Sequence, residues 1–142
     1  MGARKVHEWV GGKECFFDSV AEYKYAHWLE GEKQANRIRD WWHHPDGFPL
    51  HAPTRNGRKA VGTIEPDFRV EGCLGVVAFH EVKGMATALW RWKRRHFEAQ
   101  YPLGRYVVID AATCGSDEPQ LFDTRAARKR ARKVARKARA KK

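Results

Sequence analysis

The chain has 142 residues, 42% of them hydrophobic and 12% aromatic, with six Trp: material for one folded domain and too apolar for a wholly disordered chain. No apolar run approaches the roughly 20 residues of a membrane span, Cys73–Phe79 being the longest, and the N-terminus lacks the apolar stretch of a secretory signal. Lys plus Arg is 28 and Asp plus Glu is 17, a formal net charge of +11. Eleven of those basic residues, and no acidic one, fall between Arg125 and Lys142, which leaves residues 1–124 with 17 of each sign. This division implies a formally neutral body, residues 1–124, carrying a polyanion-binding arm, residues 125–142. Three scattered cysteines (Cys15, Cys73, Cys114) make neither a disulfide framework nor a CxxC pair, as expected of an intracellular, cytoplasmic protein with reduced thiols.

In chain order, residues 1–15 contain Gly11-Gly12, alternate poorly and read as a flexible lead-in. Ser19-Val20-Ala21-Glu22 fits a capping box that opens a helix running to about Glu30, with Gly31 as its stop. Arg37–Trp42 reads as a strand, His43–Gly47 as a turn, Phe48–Ala52 as a second strand and Pro53–Lys59 as a polar loop. Ala60–Val70 and Leu74–Lys83 read as two strands, joined through Glu71-Gly72-Cys73 into an antiparallel hairpin. Gly84 breaks the second of them, and Ala86–Tyr101 has helical periodicity up to Pro102-Leu103-Gly104. Arg105–Asp110 has the composition of a fully buried strand, and residues 111–124 are loop with room for a short helix. The order predicts an α/β or α+β fold, a mixed central sheet flanked by helices. The tail is rich in helix-forming Ala, Arg and Lys, but its like charges at i,i+4 predict that it is disordered alone and helical on nucleic acid.

The stretch Ile64–Val70 followed by Val76–Gly84 carries the most chemical information. Strand alternation puts Glu81 and Lys83 on one face, and the hairpin brings Asp67 beside them. Two converging carboxylates repel, and a hard divalent cation relieves them; oxygen ligands without Cys or clustered His favour Mg²⁺ or Mn²⁺ over zinc. With Lys83 to orient water or neutralise a crowded phosphate, this is equipment for phosphodiester hydrolysis, although an ordinary strand with a surface ion pair has the same spacing. A second Glu-x-Lys, Glu22 and Lys24, falls on a helix; at ~100° per residue its side chains lie roughly 160° apart.

Pro66-Asp67, thirteen intervening residues, then Glu81-Val82-Lys83 resembles the signature of the PD-(D/E)XK nuclease superfamily. Over about residues 16–110 the chain is similar to small phage nucleases, including Holliday-junction resolvases of the endonuclease I type. Phe17-Asp18-Ser19-Val20-Ala21-Glu22 resembles their helix start, and Lys83-Gly84, a basic helix, Tyr101-Pro102 and the apolar strand at Tyr106–Ile109 follow in their order. The resemblance implies a restriction-endonuclease-like core and a Mg²⁺-dependent endonuclease. Asp67, Glu81 and the Val82 carbonyl would be metal ligands, Lys83 catalytic, and Glu22 the acid supplied by the first helix. Branched DNA is the implied substrate class, and cutting two strands of a junction calls for two active sites, hence a homodimer.

Glu22 falls on the inward arc of its helix and so needs a cation or hydrogen-bond partner; as the N3 residue it also suits a cap. In the later helix Ala86, Leu89, Trp90, Phe97 and Tyr101 make an apolar stripe, while Arg91, Arg94 and Arg95 flank it and suit phosphates. Lys93 lands within the stripe, either snorkelling or reaching the active-site edge. Glu65 shares a predicted strand face with Asp67 and is expected to be peripheral, with an extra metal ligand as the alternative. Trp41 or Trp42 belongs to the core or a dimer interface, with base stacking alongside His43-His44 as the alternative. In the tail, Arg125, Arg128, Lys129, Arg130, Arg132 and Lys133 are the first candidate DNA contacts. Competing expectations are a nicking or site-specific endonuclease of the same superfamily and a non-catalytic nucleic-acid-binding protein.

Overall fold

The structure, a computed structural model, describes residues 4–141; the first three residues of the expected lead-in and Lys142 of the tail lie outside them. The centre is a four-stranded mixed sheet, an α+β arrangement of the class expected. In chain order the elements are β1 (Val6–Val10), β2 (Lys13–Phe17), α1 (Val20–Gln34), β3 (Ile38–His43), β4 (Phe48–Thr54), β5 (Gly57–Ile64), β6 (Phe68–Gly72), β7 (Val77–Lys83), α2 (Ala88–Gln100), β8 (Arg105–Asp110), a 3₁₀ turn (Ala111–Thr113) and α3 (Thr124–Ala140). The central order is β3-β6-β7-β8, antiparallel except for the parallel β7–β8 pair that α2 connects. The β6–β7 hairpin forms as expected, with Phe68 opposite His80.

Alternation along the strands divides the core in two. Trp41, Phe68, Val70 and Ile109 face α1, where Tyr25, Ala26 and Leu29 complete a buried cluster with Phe17 of β2. On the other face Phe79 and Tyr106 meet Phe48 and Phe97, which pack with Leu50 and Ile64 between α2 and the β4–β5 hairpin. Trp41 is fully buried, its indole N–H donating to Glu30 at 2.7 Å, while Trp42 is half-buried with Arg69 over its ring. Leu89, placed in the apolar stripe of α2 by periodicity, is exposed; Trp90 and Phe97 are the residues of that helix that the core takes.

Several local expectations are corrected. The lead-in is a hairpin: Gly11 and Gly12 turn at φ 58° and 76°, and a Cβ at Gly11 would sit 2.3 Å from the Glu30 carboxylate. Helix α1 runs through Gly31 and ends at a Schellman motif, where Asn36 (φ 58°) takes the left-handed position and Arg37 N–H donates to the Glu32 carbonyl. Pro53–Lys59 is no loop, because Thr54 pairs with Gly57 across the β4–β5 turn. Pro49 and Pro53 are tolerated there because β4 pairs on one side only. The long strand expected over Ala60–Val70 is broken by buried Pro66, so that β5 and β6 belong to different sheets. In the structure the tail forms helix α3: Asp123 caps it, Lys137 and Arg139 complement its C-terminal dipole, and Arg130 binds Asp110 at 2.6 Å. Among the described residues no helix is long and apolar enough to cross a membrane.

Candidate active site

Pro66 cannot extend the β6 ladder, so β6 begins at Phe68 and the last residues of β7 outrun it. The side chain of Asp67 fills the gap, Oδ2 accepting from the Val82 N–H at 2.8 Å. In a strand the N–H and C=O of one residue point to the same edge, so the Val82 carbonyl also lies on the Asp67 side. The residues flanking Val82 are Glu81 and Lys83, which point together toward α2. Lys83 Nζ lies 2.7 Å from Glu81 Oε1 and 5.2 Å from the centre of the Trp90 ring. The other Glu81 oxygen accepts from the Tyr106 hydroxyl on β8, and Trp90 Nε1 donates to that hydroxyl at 3.4 Å. Glu81, 6% exposed, is thus held from both oxygens.

Burial is the main reason that the Asp67 carboxyl is pushed up to about 8; the Glu22 charge adds to it, the Val82 N–H opposes it, and the Glu81 charge adds again. The site therefore holds a proton near neutral pH, which a bound cation would have to displace. Tyr106 is also raised, first by burial and then by Glu81, so it stays a neutral donor. The donor set of Asp67, Glu81 and the Val82 carbonyl is all hard oxygen and so fits Mg²⁺ or Mn²⁺.

Glu81, Lys83, Trp90 and Lys93 line one cavity of about 420 Å³ between α2 and β5, so Lys93 shares the space onto which the Glu81–Lys83 pair opens. Asp67 opens instead onto a neighbouring cavity with Asp18, His44 and Asp46. Glu65 lines both cavities, lying between β5 and β6 rather than on a strand face shared with Asp67. Of the arginines of α2, Arg91 and Arg95 are exposed, while Arg94 pairs with Glu98 at 3.0 Å and reaches over Trp90. Arg125, Arg128, Lys129, Arg130, Arg132 and Lys133 are all exposed on α3, with Arg128 facing Arg91 across a shared groove.

Glu22 is buried but does not join Glu81. Its backbone N–H donates to Ser19 Oγ at 3.2 Å, and its carboxylate takes the Asp18 N–H at 3.4 Å and His43 Nε2 at 3.3 Å. Tyr106 and the His43-His44 pair are the site residues whose roles the sequence pattern did not reveal. Tyr106 looked like part of an apolar strand, and the histidines like a turn.

A family model described as "Protein of unknown function (DUF1064)" matches residues 2–113, which spans the whole sheet and stops short of α3. No curated protein matches the chain, and no solved structure does.

Proposed function

The chain belongs to the DUF1064 family, and we propose that it is a Mg²⁺- or Mn²⁺-dependent DNA endonuclease acting on branched DNA. The observation that carries this reading is the Asp67 carboxyl seated on the N–H of Val82, the residue between the ion-paired Glu81 and Lys83 at the end of β7. Asp67, Glu81 and the Val82 carbonyl would hold the ion, which when bound supplies Lewis acidity and a water that ionises near neutral pH. Tyr106 fixes the orientation of Glu81 by donating to one of its oxygens. Lys83 keeps an ammonium beside the other, able to hold a water or offset charge on a phosphate oxygen. Lys93 extends the positive lining of that cavity, and the arginines of α2 with the basic face of α3 favour a phosphodiester backbone. The preference for branched substrates and the homodimer follow from the resemblance to phage resolvases and from the need for paired cuts.

The test is cleavage of four-way junction, flap, single-strand and linear duplex DNA with Mg²⁺, Mn²⁺ or Ca²⁺. Metal-dependent cleavage favouring the junction is expected, and Asp67→Ala and Glu81→Ala should abolish it while DNA binding persists. Preference for linear duplex would identify a nicking or site-specific enzyme. Binding without cleavage of any form would leave a nucleic-acid-binding protein and overturn the proposal.

A further inference from the structure

The first turn of α1 and the end of β3 meet beside Asp67, whose cavity His44 and Asp18 also line, and apart from the cavity of Glu81 and Lys83. Ser19 caps α1 and so fixes Glu22 in the first turn. β3 delivers His43, whose ring packs between Phe17 and Phe68. The chain then leaves through His44 in a left-handed conformation (φ 49°), which a non-glycine residue adopts at a cost, and the His44 N–H donates to the Asp67 carbonyl at 2.9 Å. This bend stacks the two imidazoles at 3.7 Å between centroids.

One ligand atom from each of Glu22, His43 and His44 lies within 4.8 Å of the other two, the arrangement of this kind found among the described residues. Zinc–ligand bonds of about 2.0–2.1 Å in a tetrahedral shell set neighbouring ligand atoms about 3.3–3.5 Å apart. Glu22 Oε2 and His43 Nε2 are 3.3 Å apart. Their side chains are 9% and 5% exposed, whereas His44 is half-exposed, with Asp18 at 3.4 Å from its Nε2. Two buried ligands thus form the floor, and the open side has room for a fourth ligand, Asp18 or water. Two imidazoles with one carboxylate select a borderline ion of the zinc class, against the hard ion that suits Asp67 and Glu81. The adjacent histidines read from sequence become a three-residue cluster only because α1 supplies the carboxylate.

We infer that Glu22, His43 and His44 form a second metal site, for a borderline divalent cation of the zinc class, which clips the start of α1 to the end of β3. This inference does not rest on the nuclease reading, and it gives Glu22 a ligand role different from the one the family resemblance implies. Titration with Co²⁺, a spectroscopic stand-in for Zn²⁺, tests it. The visible absorption of a low-coordinate Co²⁺ centre having nitrogen ligands should grow to one such centre per chain, whether or not an all-oxygen site also fills, and Zn²⁺ should displace it. His44→Ala changes a half-exposed side chain, and Glu22→Gln keeps the backbone cap; each should weaken Zn²⁺ binding by at least about tenfold. Glu81→Gln, in the other cavity, should leave the Co²⁺ spectrum unaltered, which separates this site from the Glu81–Lys83 end of the proposed catalytic one. Absence of the Co²⁺ signal, or affinity unchanged in both His44→Ala and Glu22→Gln, overturns it.

Discussion

Replacing Asp67 by asparagine removes a charge while keeping a side-chain oxygen that can accept the Val82 N–H. In the wild-type fold this carboxyl is pushed up to about 8 from an ordinary 3.8, so at pH 7 it is mostly protonated. The unfolded chain has already lost that proton above about pH 5. Between pH 5 and 7 the folded state therefore binds one proton more at this residue, and unfolding free energy falls by about 1.4 kcal/mol per pH unit. The Asp67→Asn variant has no such proton. Its stability relative to wild type should climb by about 2–3 kcal/mol across those two units and level off above about pH 8, where the carboxyl is ionised folded and unfolded alike. Urea unfolding at pH 5, 6, 7 and 8 in the presence of chelator, followed by tryptophan fluorescence, measures the gap. Comparing the two chains cancels the titrating groups remote from Asp67. A gap that stays constant with pH, or that closes as pH rises, refutes the account of Asp67. Mg²⁺ at pH 7 should then raise the wild-type midpoint, with release of about one proton per ion, and should leave the variant unmoved.

Three further outcomes are expected. Burial lowers His80, bonded to the Tyr25 hydroxyl at 2.6 Å, to about 4 from 6.5, so its contribution to stability is present above pH 6.5 and lost as pH falls toward 4. His80→Gln should flatten that acid limb, as read by unfolding midpoints over the same range. Phe97→Ala opens a fully buried cavity among Phe48, Tyr101 and Tyr106 and should cost about 3–5 kcal/mol in urea or thermal unfolding. Exchanging exposed Lys129, Arg132 and Lys133 for Gln should spare stability but lower the log–log salt slope of DNA binding by about 0.9 for each phosphate no longer neutralised, and an unchanged slope would show that they touch no phosphate.

How far the sequence was legible depended on whether the signal was local. The continuous apolar run Tyr106–Ile109 and the Ser19 cap mark their elements at close to the right residues, because burial on both faces and a satisfied N–H leave direct traces. The hairpin that brings Asp67 toward Glu81 and Lys83 was likewise written in two β-rich runs and a short turn. The β1–β2 hairpin was not legible, since Trp9 and Phe16 face solvent and spoil the alternation. β4 was legible at Phe48–Ala52, but the tight turn that pairs Thr54 with Gly57 passed for a polar loop. Gly31 misled because a helix with tertiary packing tolerates one glycine, and Asn36 further on supplies the real stop. Contacts between distant elements left no local mark at all, as with Tyr106 on Glu81 or Glu22 on His43.

The Arg130–Asp110 contact bears on where this molecule can be cut. Asp110, 3% exposed, is the register partner of Lys83 across β7–β8, and it leans on a guanidinium supplied from beyond residue 124. The even tally of charges in residues 1–124 is thus neutrality on paper alone, since one of its interior anions draws a counterion from the appended helix. A chain trimmed at that point would keep the Ala112 N–H as a partner for Asp110 but forfeit the cation, at a cost of about 1–3 kcal/mol for a buried anion left short of a partner. Composition locates the seam at 124, and mechanical integrity puts it past Arg130.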